Sequence, residues 1–194
     1  MTKVPLVIAC LFISCFTLNL GQSAPAAAAS SYYKRTLEQY NVPKVELIDQ
    51  EGQSINLDTY LNDNKLVILD FIYGTCTTIC PILSVGFAHF QKKLGEDAKK
   101  VRMVSITIDP DNDTPQVMKE YLQKYGARPG WDALTGKRDH VISVLKEFDA
   151  YVANKMNHYP LTILKAPGAK EWVRLYGMLS ASDLQKEYEK LLKN

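Results

Sequence analysis

Cysteine is scarce in this chain. Only four occur in 194 residues, and Cys10 and Cys15 fall in an apolar N-terminal segment. Cys76 and Cys80 are what remains for the rest of the chain, too few for a disulfide-stapled scaffold. A bridge between them would close a loop of three intervening residues and add little chain-entropy stabilisation. Histidine is also scarce: His89, His140 and His158 are the three present. A four-ligand structural zinc site therefore lacks a second Cys or His pair. Charge of one sign is lacking too, with a formal net charge of +2, which argues against nucleic-acid binding. There are no internal repeats or low-complexity tracts. The acidic stretch DPDNDTP (109–115) offers alternating carboxylates at Asp109, Asp111 and Asp113 but lacks the Gly and terminal Glu of a calcium loop. It reads as a strand exit at Asp109-Pro110 followed by a helix start at Asp113-Thr114-Pro115.

The first thirty residues differ from the rest. Lys3 precedes VPLVIACLFISCFTLNL (4–20), and GQSAPAAAAS then offers small-residue cleavage sites near Ala27–Ala29. The run is short for a spanning helix, which needs about 20 apolar residues. VIAC (7–10) resembles a lipobox but leaves almost no apolar run before Cys10. Residues 1–29 are expected to be a signal peptide or an N-terminal membrane anchor, with membrane association possible through that segment. Residues 30–194 then form one exported domain, periplasmic or otherwise extracytoplasmic. Its contents of 46% hydrophobic and 23% charged residues suit an ordinary globular domain.

The pattern along that domain alternates. VPKVELIDQEGQSINLDTYL (42–61) reads as an N-terminal hairpin turning at Glu51-Gly52. LVILDFIY (66–73) is near-continuously apolar, the mark of a strand buried on both faces. Leu83, Phe87, Phe90 and Leu94 recur at helical spacing after Pro81, and Gly95 stops the helix. VRMVSITID (101–109) is a strand. A helix then runs to Tyr125, with Thr114 as cap and Pro115 in first position. Residues 139–151 are helical, 158–165 and 171–177 are strands about Pro167-Gly168, and a last helix closes the chain. This order predicts an α/β, thioredoxin-like fold: a central mixed sheet flanked by helices.

In such a fold, the turn after a central strand presents side chains at the carboxyl edge of the sheet. DFIYGTCTTICP (70–81) puts the cysteines there, at a helix N-terminus whose partial positive charge favours a thiolate. If Cys76 lies in the first helical turn, Cys76 and Cys80 share one face with Cβ atoms about 5–6 Å apart. That spacing permits a disulfide or a shared ion. His89 within a helix and His140 at the start of a charged one suit surface or packing roles. His158, in MNHYP before a late strand, approaches the dithiol. Two thiolates and one imidazole form a soft donor set for Cu(I) or zinc, and a three-ligand set suits copper. Met103 reads as core, Met156 as a further soft donor beside His158. Asp109 ends its strand at the same sheet edge as the thiols.

Four stretches taken in order make the chain resemble the Sco/SenC family, thioredoxin-fold copper proteins that help assemble cytochrome c oxidase. They are FIYGTCTTICP (71–81), SITIDPDNDTPQVMKEYLQKYG (105–126), GWDALTG (130–136) and NHYPLTILK (157–165). The resemblance covers about residues 40–194. It implies that Cys76, Cys80 and His158 bind copper, as Cu(I) or Cu(II), and that the two cysteines also cycle between dithiol and disulfide. It implies primarily a metallochaperone, with thiol–disulfide reductase activity as a second role. The partners would be the copper-centre subunit of cytochrome c oxidase or another exported copper protein, and a copper donor chaperone. The chain departs from the family pattern at Asn157, where an aspartate is usual. It also departs at Thr75 and Thr77-Thr78, in place of an aromatic and Pro-Asp. Two other functions share parts of the pattern. A copper-independent thiol–disulfide oxidoreductase would normally carry C-x-x-C. A peroxiredoxin-like peroxidase would use Thr77 and Cys80 as T-x-x-C, but Tyr73 stands where its upstream proline belongs.

Overall fold

The structure, a computed structural model, describes residues 33–193. The signal or anchor expected over 1–29 lies outside the described residues. Strand β4 (Leu66–Ile72) is buried at every position, as its unbroken apolar run predicts. It lies parallel to β5 (Val101–Thr107), which lies parallel to β6 (Trp131–Thr135). Parallel neighbours require crossovers, and helices α2 (Ile79–Leu94) and α3 (Pro115–Tyr125) supply them. On its other side β4 pairs antiparallel with β7 (Leu161–Lys165), β7 with β8 (Trp172–Gly177), and β8 with β1 (Tyr33–Glu38). At the opposite end, β6 pairs with β2 (Glu46–Asp49), which forms a hairpin with β3 (Ser54–Asn56). The result is an 8-stranded mixed sheet in the order β1-β8-β7-β4-β5-β6-β2-β3. Helices α1 (Leu57–Leu61), α4 (Arg138–Glu147) and α5 (Ala181–Leu191) complete the layers.

Strand alternation divides the core. Leu66, Ile68 and Ile72 face α2, α3 and α5, packing with Phe87, Phe90, Trp131 and both cysteines. Val67, Leu69 and Phe71 face the other way, onto Val144, Leu145, Phe148 and Trp172. Asp70 shares the register of the first set and is fully buried.

The N-terminal hairpin and the Thr114-Pro115 helix start are found as expected. Three features depart from the sequence pattern. The hairpin ends at Asn56, whose side chain accepts the Thr59 N–H (3.2 Å) and starts a helical turn in place of a longer strand. Strand β1 has no counterpart in the periodicity. Its hold is a long-range one, with Tyr33 Oη and Arg35 Nε donating to the buried Glu187 at 2.8 and 2.9 Å. Helix α2 begins at Ile79, ahead of Pro81, because a proline in the first turn removes an N–H that has no intrahelical acceptor anyway. Gly86 lets this helix approach the segment before α5; a Cβ there would stand 2.9 Å from the Leu179 carbonyl oxygen.

Candidate metal centre

The loop from β4 into α2 holds the cysteines and settles where Cys76 sits. Cys76 lies outside α2, whose first residue is Ile79, so the two cysteines do not share a helical face. Thr75, Thr77 and Thr78 are β-branched and weak helix formers. The chain instead turns, with the Cys76 N–H donating to the Tyr73 carbonyl at 3.0 Å. Thr78 is the N-cap residue, yet its hydroxyl caps nothing. The Cys76 sulfur lies 3.7 Å from the Thr78 Oγ1 at this helix start.

This arrangement separates the two thiols. Burial alone would raise the Cys76 pKa. Hydrogen bonds from the Cys80 thiol and from the Thr78 and Cys80 N–H groups outweigh it and hold Cys76 below the ordinary thiol value. Cys80 is pushed well above that value, first by burial and then by its hydrogen bond to Cys76. Both cysteines are free thiols.

His158 arrives from the neighbouring strand. Because β7 runs antiparallel to β4, with Asp70 opposite Thr162, the start of β7 lies beside the end of β4. A short 3₁₀ turn, Lys155–Asn157, precedes it; the Asn154 side chain accepts the Met156 N–H at 2.9 Å and caps that turn. His158 Nε2 stands 3.4 Å from Cys80 Sγ. Its ring meets Tyr73 edge-on, with centroids 5.3 Å apart. Burial lowers the His158 pKa, with the Lys155 backbone acting against it, so the ring favours the neutral form that ligates metals. The donor atoms of Cys76, Cys80 and His158 all lie within 4.8 Å of one another.

Two contacts hold these loops to the segment that leaves β5. Both carboxylate oxygens of Asp113 accept the Gly74 N–H at 3.1 Å, and the Thr107 hydroxyl donates to the same group. Burial raises the Asp113 pKa despite these donors. Lys155 Nζ pairs with Asp109, which also accepts from Asn112 Nδ2 at 2.8 Å. Burial works to raise the Asp109 pKa, but these two donors bring it below the ordinary carboxylate range. Asp111 pairs with Arg138. Each carboxylate of DPDNDTP therefore has its own partner, and the stretch works as a clamp between the cysteine and histidine loops. Gly74 adds a steric requirement: a Cβ there would lie 2.6 Å from Val117 Cγ1 and 2.8 Å from Asp113 Oδ1.

The donor set fits a soft ion. Metal–sulfur bonds of about 2.3 Å let one ion reach donors about 4.6 Å apart, close to the 4.8 Å found. The other histidines stand elsewhere. His89 is exposed on α2, and His140 Nδ1 contacts the Glu46 carbonyl at 2.8 Å. Met103 is buried core, as expected, and Met156 is exposed.

Fold and site together define a thioredoxin-type domain with a dithiol–histidine cluster at the carboxyl edge of its sheet. The chain belongs to the SCO1/SenC family, whose model matches residues 34–167. It is 33% identical over 116 residues to the SCO1 protein homolog of Bacillus subtilis, covering 58% of this chain and 59% of that protein. The chain spans about half the length of other curated relatives it matches. Among solved structures it is similar to Arabidopsis thaliana ScoI with copper bound, at TM-score 0.67 and 25% identity over 78% of this chain and 98% of that one. It is also similar to BsSco, a member of the Sco family of cytochrome c oxidase assembly proteins with a disulfide switch. That match has TM-score 0.64 and 26% identity over 79% of this chain and 94% of BsSco.

Proposed function

We propose that this protein binds copper through Cys76, Cys80 and His158 and prepares the binuclear copper centre of cytochrome c oxidase. It does so by delivering copper, by reducing the client's cysteines, or both. The observation that carries this reading is the convergence of two sulfurs and one imidazole nitrogen within 4.8 Å, a soft donor set with no fourth Cys, His, Asp or Glu grouped with it among the described residues. The copper-bound relative and the oxidase-assembly relative support it. Residues 1–29 would export the domain 30–194 or anchor it outside the cytoplasm. Among the described residues, no helix is long and apolar enough to cross a membrane.

The chain's own residues supply two exclusive states. In the dithiol state Cys76 and Cys80 ligate as thiolates and His158 as a neutral ring, so metal loading releases thiol protons. In the disulfide state neither sulfur is a thiolate and the ligand set is lost. Reduction of a client follows thiol–disulfide exchange. The Cys76 thiolate attacks one client sulfur, forming a mixed disulfide and freeing the other client sulfur as thiolate. Cys80, on losing its proton, attacks the Cys76 sulfur, closing the Cys76–Cys80 disulfide and releasing the second client thiol. Two electrons pass to the client. The lowered Cys76 pKa suits it to attack, and the raised Cys80 pKa is the opposite of what a peroxidase nucleophile at Cys80 would need.

A strain lacking this protein should lose oxidase activity and regain it with the wild-type chain or added copper. Cys76→Ser, Cys80→Ser and His158→Ala should fail to restore it. Unchanged oxidase activity in the deletion strain would contradict the assembly role.

A further inference from the structure

Among the described residues, Met156 is the most exposed large apolar side chain, at 68%. Exposure of that kind is ordinary for one residue. The direction of its sulfur is what sets it apart. Tyr73, itself buried, donates its hydroxyl to Met156 Sδ at 3.6 Å. The ring of the same residue lies edge-on to His158, with centroids 5.3 Å apart. One tyrosine thus links the thioether to the ligand histidine.

We propose that Met156 is a fourth soft donor, closing the solvent side of the Cys76–Cys80–His158 site when it holds Cu(I). The proposal rests on the copper reading above. A thioether sulfur carries two lone pairs, so one can accept from the Tyr73 hydroxyl while the other is left for a metal. A thioether is a soft, uncharged ligand, so it favours Cu(I) over Cu(II). It also needs no deprotonation, unlike either thiol. The capped 3₁₀ turn holds Met156 two positions before His158, so placing the ring also places the thioether.

The test compares reduced full-length wild type with Met156→Leu, which keeps the apolar bulk and removes the sulfur. Cu(I) affinity is read by competition with a chromophoric Cu(I) chelator. Cu(II) affinity is read by titration, and sulfur neighbours are counted by X-ray absorption on the Cu(I) form. The proposal expects Met156→Leu to lose at least about tenfold in Cu(I) affinity, as much as removing a partner outside the ligand set costs. It also expects one sulfur neighbour fewer and Cu(II) affinity nearly unchanged. Wild-type Cu(I) affinity and an unchanged sulfur count in Met156→Leu would overturn it while leaving the three-ligand site intact. Equal losses for Cu(I) and Cu(II) would overturn it in favour of a packing role. A wild type that binds no copper would end both readings.

Discussion

The Cys80 sulfur and the His158 ring nitrogen face each other at 3.4 Å across 78 positions of chain. Neither loop reaches the other by local structure. The cysteine loop leaves the end of β4, the histidine loop enters β7, and the antiparallel pairing of those strands sets both at one edge of the sheet. The Asp109–Asp113 turn, leaving β5 at the same edge, holds the first loop through Gly74 and the second through Lys155.

The Lys155–Asp109 pair should therefore matter more for metal than for folding. Lys155→Met and Asp109→Asn are expected to weaken copper binding about tenfold to a hundredfold. The denaturant midpoint should move by no more than a partly exposed ion pair is worth, about 1 kcal/mol. Chelator competition and chemical denaturation on the same samples check this. Copper affinity equal to wild type would remove the clamp from the account.

At Gly74 the constraint is steric. Gly74→Ala puts a Cβ against Val117 and Asp113, and the expected cost is about 1–3 kcal/mol of stability. The loop moves away from Asp113, so thiol reactivity should change as well. Equilibrium urea unfolding measures the first effect and alkylation rates the second. A fully stable variant with unaltered thiols would show that the close approach is not required.

The two thiols should titrate apart. Cys76, held below the ordinary thiol pKa, is a thiolate at lower pH than Cys80, which burial and its partner hold above it. Brief iodoacetamide treatment of the reduced, metal-free protein near neutral pH should label Cys76 first, as read by peptide mass spectrometry. Faster labelling of Cys80 would reverse the assignment of the attacking thiol.

Asp70 gives stability a pH slope of its own. Ser105 Oγ donates to its Oδ1 at 2.7 Å, while Oδ2 has no partner. Burial pushes its pKa up to about 7 from 3.8. Between those values the folded state keeps a proton that the unfolded state has lost, so this group's contribution falls as pH rises. The slope is about 1.4 kcal/mol per pH unit at most. Asp70→Asn should flatten stability against pH between about pH 4 and pH 7, and unfolding midpoints across that range measure the difference. Parallel curves for the two proteins would contradict it.

How much of this was legible in the sequence depended on the range of the interaction. The buried strand β4, the Thr114-Pro115 helix start and the N-terminal hairpin rest on local patterns and were readable. Cys76, Cys80 and His158 stood out because soft donors are few in this chain. Strand β1 was not readable, since its hold on Glu187 spans most of the domain. Strand β6 showed only as part of GWDALTG. The sequence left open whether Cys76 sits in the first helical turn; C-x3-C matches such a turn, while the three threonines around it favour the loop that is found. DPDNDTP was read as punctuation, and its carboxylates bind the two site loops as well. Asp-Pro and Asp-Thr-Pro carry a turn signal strong enough to hide such a function. The burial of Asp70 follows from the register of β4, which only the sheet reveals.

The most direct test of the central claim is copper titration of the reduced protein, following thiolate-to-copper absorption in wild type and His158→Ala, with the oxidised wild type alongside. One equivalent should bind to reduced wild type, binding should weaken sharply in His158→Ala, and the disulfide form should bind none. No copper bound by reduced wild type, or equal binding by His158→Ala, would contradict a site built from Cys76, Cys80 and His158.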